Sequence, residues 1–278
     1  MADPLSVAAS IVGVTVPALH GTRLLLDNLQ QLKDAPKTVK RLADEVRSVD
    51  AALELLKGVD ERDWESLGAP VADQAKLSIS GHTRACALFR NDLQRWTRHS
   101  DDGKLAWQDR ANVGFFKKAQ ITAMSGQLQN CQLSINAVVS IAALYTSVRN
   151  SHITEEIKDM ISTKQAEVQG AVTTADRQRV VLENKLEELG LSSDDEEAAA
   201  APEGKAKALQ QLEEGRKALD ASRKLLDELL AKSQEENLAK AALRDWSGSI
   251  TITMGTQNSG FAAGIINGGV SGISFRGK

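Results

Sequence analysis

The sequence has few aromatic residues, which make up 4% of its 278 positions and include a single tyrosine. Because strands are enriched in aromatic and β-branched residues, this scarcity favours a core of packed helices over a β-sandwich. Hydrophobic residues account for 42% of the chain, which is enough for such a core. The net charge of −3 provides no overall basic surface, so we expect no binding to nucleic acid.

Cysteine is also scarce, with Cys86 and Cys131 as the two in the chain. They lack the spacing of metal ligands or of a redox pair, so we interpret them as buried apolar residues in a reducing compartment. The N-terminal segment has Asp3 and no basic residues before its apolar stretch, and Asn-x-Ser/Thr sequons are absent. These features favour a cytoplasmic protein.

Sequence signatures of catalysis are missing as well. The chain has no Gly-x-x-x-x-Gly-Lys-Ser/Thr loop, no Gly-x-Ser-x-Gly elbow and no His-Glu-x-x-His helix. The four histidines stand alone in the sequence and are interpreted as surface or capping residues: His20, His82, His99 and His152. We therefore expect no enzymatic activity and no metal or cofactor.

Helical periodicity covers most of the chain. Apolar residues between 36 and 57 recur every three or four positions, as one buried face of a helix requires. The pattern predicts a multi-helix bundle over 1–150 and a long helical hairpin over 151–245, which either folds back onto the bundle or forms a stalk. The predicted helices cover 36–57, 70–98, 107–148, 153–189 and 209–243, with a loop at 60–68 and a flexible acidic linker at 192–204.

Two segments without charged side chains contrast with a chain that is 26% charged. The first, residues 4–22, approaches the roughly 20 residues that span a bilayer. Pro17 and several small or hydroxyl residues dilute its hydrophobicity, so a buried core helix fits the pattern as well. One helix can serve both purposes in different states of a protein. The candidate membrane-active residues are Leu5, Val7, Ile11, Val12, Val14, Val16 and Leu19.

The second uncharged segment runs from Trp246 to Phe275. Its Ile-Thr repeat has the two-residue period of a strand, and its low charge and lack of proline are typical of cross-β segments. Its spaced glycines also fit a membrane helix or a disordered tail without a role. We predict an amyloid-forming tail over 246–278 that is disordered in the monomer. The candidate residues are Ile250, Ile252, Asn258, Gly260, Phe261, Gly264, Ile265, Ile266, Asn267, Gly268, Val270, Gly272, Ile273 and Phe275.

Several parts of the chain resemble the fungal HeLo-like, or HELL, N-terminal domain. The resemblance is carried by the segments 3–11, 113–118, 127–131 and 218–226. Residues 249–275 resemble the pseudo-palindromic fungal amyloid motif called PP, through Asn258-x-Gly260-Phe261 and glycines at every fourth position up to Gly272. The chain departs from that motif at Ala262, where the family usually has Gln. The PP motif is in turn similar to the RIP homotypic interaction motif of necroptosis.

The resemblance implies a two-part mechanism of programmed cell death. A NOD-like receptor carrying a matching motif would template the tail into a fibril of identical chains, and the helical domain would then attack plasma membrane lipids. The protein would be cytoplasmic when inactive and at the plasma membrane when activated. The alternative is a non-lytic amyloid scaffold or adaptor.

Overall fold

A computed structural model describes residues 4–32, 36–97, 118–150, 154–191, 202–234 and 238–239. Within these ranges the chain forms long α-helices, one short helix and no strand, so the mostly α prediction is confirmed. The predicted amyloid tail lies outside the described residues. The helices are α1 (Pro4–Gln31), α2 (Lys37–Lys57), α3 (Glu61–Leu67), α4 (Ala69–Trp96), α5 (Lys118–Asn150), α6 (Glu155–Leu191) and α7 (Pro202–Lys232).

Proline lies at or beside the start of four described helices, at Pro4, Pro36, Pro70 and Pro202, because its fixed φ suits the first turn and its missing N–H is not needed there. The Pro36 carbonyl accepts hydrogen bonds from the backbone N–H groups of Val39 and Lys40 at the start of α2. Pro70 lies in the first turn of α4. The predicted apolar face of α2 is confirmed as buried: Val39, Leu42, Val46, Val49, Leu53 and Leu56.

The predicted loop at 60–68 is wrong, since residues 61–67 form α3. The Asp60 carboxylate caps this helix by accepting a hydrogen bond from the Asp63 N–H at 3.0 Å. Trp64 and Leu67 are buried, which anchors the two turns in the core. Gly68 ends the helix with a φ of 83°, in the left-handed region that glycine adopts without steric cost. Periodicity could not reveal so short a helix.

The predicted linker is also partly wrong. Helix α7 begins at Pro202, so the last three residues of the 192–204 linker are helical, and residues 192–201 lie outside the described residues. Helix α7 then ends at Lys232 rather than near 243.

The long helices form three layers of two. Helices α4 and α5 lie in the middle, α1 and α2 pack on one side, and α6 and α7 pack on the other. Contacts between α6 and α7 run in opposite directions along the chain: Gln165 bonds to the Ser233 carbonyl and Arg223 pairs with Asp176. The predicted hairpin is therefore confirmed, and it folds back onto the bundle. The boundary at 150 stays a prediction, because described helices on both sides share one apolar core.

Helices α4 and α7 approach most closely at Gly81. A Cβ atom at Gly81 would lie 2.9 Å from the Ala218 Cβ and 3.2 Å from its Cα. One turn away, the Ser78 and Ser222 hydroxyls share a 2.9 Å hydrogen bond within the core. The absence of a side chain at Gly81 thus lets the hairpin dock directly on the central layer.

We expect Gly81→Ala to lower the free energy of unfolding by about 1–3 kcal/mol, because the new methyl group forces α4 and α7 apart. Urea denaturation would measure the loss, and Ala218→Gly in the same chain should restore part of it. The control is Gly170→Ala in α6, where nothing lies within 4 Å of the added Cβ. That change should stabilise the protein by about 0.5–1 kcal/mol. Equal effects of the two alanines would contradict the close-packing account.

Candidate functional site: helix α1 and its seat in the bundle

Helix α1 has one buried face and one solvent face. The buried face follows the three- and four-residue spacing of a helix and packs on α2, α3 and α4. Its members are Ile11, Thr15, Ala18, Leu19, Thr22, Leu25 and Leu29. On the opposite face Val12 is 40% exposed and Val16 is 52% exposed. Because no charged residue occurs between 4 and 22, this solvent face is uncharged through its first five turns.

The structure divides the candidate membrane-active residues between the two faces. Ile11 and Leu19 are core residues, whereas Val12 and Val16 face solvent. Val7 and Val14 are partly buried against the core. Leu5 lies in α1, and its side chain is outside the described part of the structure. The predicted amyloid residues 250–275 are outside it entirely.

A polar contact in the core holds α1 against α4. The Thr22 hydroxyl donates to the Ala18 carbonyl at 2.8 Å and lies 3.1 Å from Nε2 of His82. Since the single hydroxyl proton is used, His82 Nε2–H is assigned as the donor to Thr22 Oγ1. The Sγ atom of Cys86 lies 3.4 Å from the same ring nitrogen.

The surface or capping interpretation is wrong for His82, which is 1% exposed in the middle of the bundle. Burial disfavours the charged imidazolium and lowers the pKa of His82 to about 4. The same burial raises the pKa of the Cys86 thiol to about 12, so this cysteine is not a nucleophile at neutral pH. Cys86 and Cys131 are both buried and free, as predicted.

The first charged residue after the apolar part of α1 is Arg23, which ties this helix to α2. Its guanidinium bonds to Asp50 at 2.8 Å and to Glu54 at 2.5 Å. The hydrogen bond to Asp50, followed by that to Glu54, raises the pKa of Arg23. The side chain is 52% exposed, so the pair contributes little to stability. Helix α1 is thus retained mainly by its apolar face and the Thr22–His82 contact.

Two described helices are long and apolar enough to cross a membrane by length and composition alone, over Val7–Gln31 and Gln120–Asn150. They differ in burial: 33% of the most apolar window is buried in α1, against 56% in α5. Helix α5 is a central core helix, whereas α1 is in an outer layer. The described residues contain no group of three or more His, Cys, Asp or Glu arranged to hold a metal.

One known protein family matches most of the chain. The sequence profile described as pigment biosynthesis cluster protein PigL N-terminal matches residues 2–227. The chain belongs to this family. The matched PigL N-terminal region contains α1 to α6 and most of α7, and it ends before the uncharged segment at 246. No curated protein and no solved structure matches the chain.

The buried polar residues that hold α1 in the bundle were not recognised from the sequence. Thr15 and Thr22, seven positions apart, already lie on the same helix face as Ile11 and Ala18, which is the available signal for their burial. The partner of Thr22 is 60 residues away, and no local pattern indicates it.

Proposed function

We propose that this PigL N-terminal family member is an amyloid-triggered executioner of fungal programmed cell death that disrupts membranes in a necroptosis-like manner. The proposal includes a HeLo-like helical domain at residues 1–150 and a PP amyloid motif in the tail. It is supported by the uncharged segments at both ends of the chain and by the position of α1 in the bundle. The same reading assigns the protein no enzymatic activity.

The observation that carries the proposal is the placement of α1. It is an outer-layer helix whose first 19 residues after Asp3 carry no charge and whose solvent face exposes Val12 and Val16. A membrane helix needs apolar side chains around its whole circumference, whereas a core helix needs them on one face. Helix α1 has valines on the face that core packing leaves free, which favours a second, apolar environment.

Burial in acyl chains offsets part of the cost of moving α1 from bundle to bilayer. Leaving the bundle exposes core residues such as Ile11 and Leu19, each worth about 1.5–3 kcal/mol when fully buried. Acyl chains bury these same side chains again, and they also bury Val12 and Val16. Among the described residues, the polar contacts that the release of α1 breaks include the Thr22–His82 hydrogen bond and the Arg23 ion pairs.

In the proposed mechanism the tail supplies the trigger. A NOD-like receptor with a matching motif templates residues 249–275 into a cross-β fibril with other copies of the chain. The fibril concentrates helical domains, and α1 of each inserts into plasma membrane lipids. The protein is cytoplasmic before activation and at the plasma membrane after it.

Val16→Asp is expected to reduce membrane damage without unfolding the protein, because Val16 faces solvent. An Asp at the centre of a bilayer costs about 2.5–3.5 kcal/mol, so leakage should fall about tenfold or more. The assay uses full-length protein, vesicles containing anionic lipid and seeds of assembled 246–278 peptide, with dye release as the readout. Val180→Asp in α6 is the control, since Val180 is 51% exposed, like Val16, and lies outside α1.

Equal leakage from both variants and the parent, with circular dichroism showing intact folds, would refute the role of α1. If the seeds assemble full-length protein on vesicles that stay intact, the scaffold or adaptor alternative is correct. Loss of leakage in Val16→Asp alone supports membrane attack.

The tail has its own test, which does not depend on the helices. We expect assembled 246–278 peptide to show a fibre reflection near 4.7 Å and to seed full-length protein into fibrils. A scrambled peptide of the same composition is the control. A peptide that stays monomeric in buffer and becomes helical in bilayers would instead support the membrane-helix interpretation.

A further inference from the structure

A cleft of about 260 Å³ is lined mainly by residues of α5 and α6, together with one residue each from α2 and α7. Apolar side chains form part of its lining: Ala123 from α5, Val181 and Leu182 from α6, and Leu219 from α7. Val181 is 47% exposed although it lies beside core residues. Ligand pockets typically occupy about 300–1,000 Å³, so this cleft lies just below that range and has room for a small ligand only.

Positive charge surrounds this apolar lining. Arg41, Arg177 and Lys185 all line the cleft and come from two different helices. Arg41 lies 3.5 Å from Glu45, which is also bonded to Ser125 and Gln129. Among the described residues the lining itself contains these three cations and no carboxylate, which favours a positive potential that attracts an anion.

Two polar atoms at the cleft have no partner within the described part of the chain. They are Nε2 of Gln127 and Oε1 of Gln178, both buried. Gln127 is 6% exposed overall, so bulk water does not reach its amide freely. Buried donors are nearly always hydrogen-bonded in folded proteins, so an unpaired donor on a residue that lines a cleft is a candidate contact for an acceptor on a ligand.

A neighbouring glutamine, Gln129, holds the Gln178 side chain in position. The Gln178 amide donates to Oε1 of Gln129 at 3.3 Å, which links α6 to α5 across the cleft. A Cβ atom added at Gly126 would lie 3.5 Å from Cδ of Gln178, so the Gln178 amide packs close to this glycine. The cleft is therefore shaped by packing on several sides and combines an anion-attracting rim, one unpaired donor and an apolar wall.

We propose that this cleft binds a small amphiphilic anion, with its carboxylate or phosphate group accepting from Gln127 Nε2 near Arg41, Arg177 and Lys185. The apolar part of the ligand lies on Val181, Leu182 and Leu219. No residue of α1 lines this cleft, so the site does not depend on the proposed membrane activity.

The test is isothermal titration calorimetry of the full-length protein with octanoate and, separately, octyl phosphate. We expect saturable one-to-one binding of octanoate, of octyl phosphate or of both. Octanol lacks the anionic group and inorganic phosphate lacks the apolar chain, so each should bind at least tenfold more weakly. Comparison of the octanoate and octyl phosphate titrations identifies the head group that the cleft prefers. Vesicles containing phosphatidate, without either octyl compound, show whether the same cleft takes its anion from a bilayer.

Three single substitutions test whether the ligand binds in this cleft. Gln127→Met removes the unpaired donor at nearly constant volume and should weaken binding about tenfold, since a hydrogen bond to a charged group is worth about 1.5–3 kcal/mol. Arg177→Gln should weaken it by a similar factor. Arg179→Gln is the matched control, because Arg179 carries the same charge on the same helix but pairs with Glu183 and does not line the cleft.

A fourth substitution tests whether the ligand occupies the volume of the cleft. Ala123→Leu should fill the cleft and abolish octanoate binding while the urea midpoint stays within a few tenths of a molar of the parent. The proposal is overturned if neither octyl compound saturates, if octanol binds as well as octanoate, or if Arg179→Gln and Arg177→Gln weaken binding equally.

Discussion

Asp63→Ala is expected to lower the free energy of unfolding by about 3–5 kcal/mol, because it removes the carboxylate that neutralises the largely buried Arg149 guanidinium. Both side chains of this ion pair are only 10% exposed. The Asp63 carboxylate also accepts a 2.7 Å hydrogen bond from Thr146, so one residue joins α3 to the end of α5 at two points. Urea denaturation at pH 7.5, followed by circular dichroism, measures the loss.

The control for this prediction is an exposed pair of the same chemistry. Asp44→Ala breaks the contact with Arg47, whose members are 72% and 56% exposed, and should cost about 0–1 kcal/mol. Adding Arg149→Leu to Asp63→Ala should recover part of the stability, because the orphaned charge is removed. Similar losses from Asp63→Ala and Asp44→Ala would show that burial of the pair contributes nothing.

Acidification is expected to destabilise the bundle through His82. The pKa of this group is about 4 in the folded protein and 6.5 in the unfolded chain. Above pH 6.5 both states are neutral and stability is unaffected. As the pH falls below 6.5 the unfolded chain takes up a proton that the folded protein excludes, so stability is lost until about pH 4. The loss is about 3 kcal/mol, at about 1.4 kcal/mol per pH unit.

Unfolding free energies at pH 7.5 and pH 5 test this prediction, because carboxylates titrate little in that interval. The parent should lose about 2 kcal/mol that His82→Gln does not lose. His20→Gln is the control, since His20 is exposed, and it should keep the parental pH dependence. An unchanged pH dependence in His82→Gln would rule out this residue as the cause.

Local patterns predicted the long helices well. Helix α2 begins directly after Pro36 and buries the apolar residues whose spacing predicted it. Helix α4 begins within a residue of the predicted proline start. These features depend on neighbours three or four positions away, which a sequence displays directly. The predicted hairpin of α6 and α7 followed from the same periodicity on both sides of an acidic break.

The errors arose where distant residues decide the outcome. Helix α3 has only two turns, and the burial of Trp64 and Leu67 stabilises it against α1 and α5. His82 was taken for a surface residue because its own helix gives no sign of Thr22 on α1. The cleft joins Gln127 to Arg177 and Arg41, which are 50 and 86 positions from it in the chain.

The helical class, the apolar faces of the long helices and the two uncharged segments can all be read from the chain alone, because each depends on composition or on short-range spacing. Packing in three dimensions makes the hairpin dock at Gly81, lets His82 hold α1 in place and leaves Val12 and Val16 of α1 in solvent. The first two properties require close approach between residues that are 137 positions apart (Gly81 and Ala218) and 60 positions apart (Thr22 and His82). Packing geometry selects such contacts, and no local pattern in the chain encodes them.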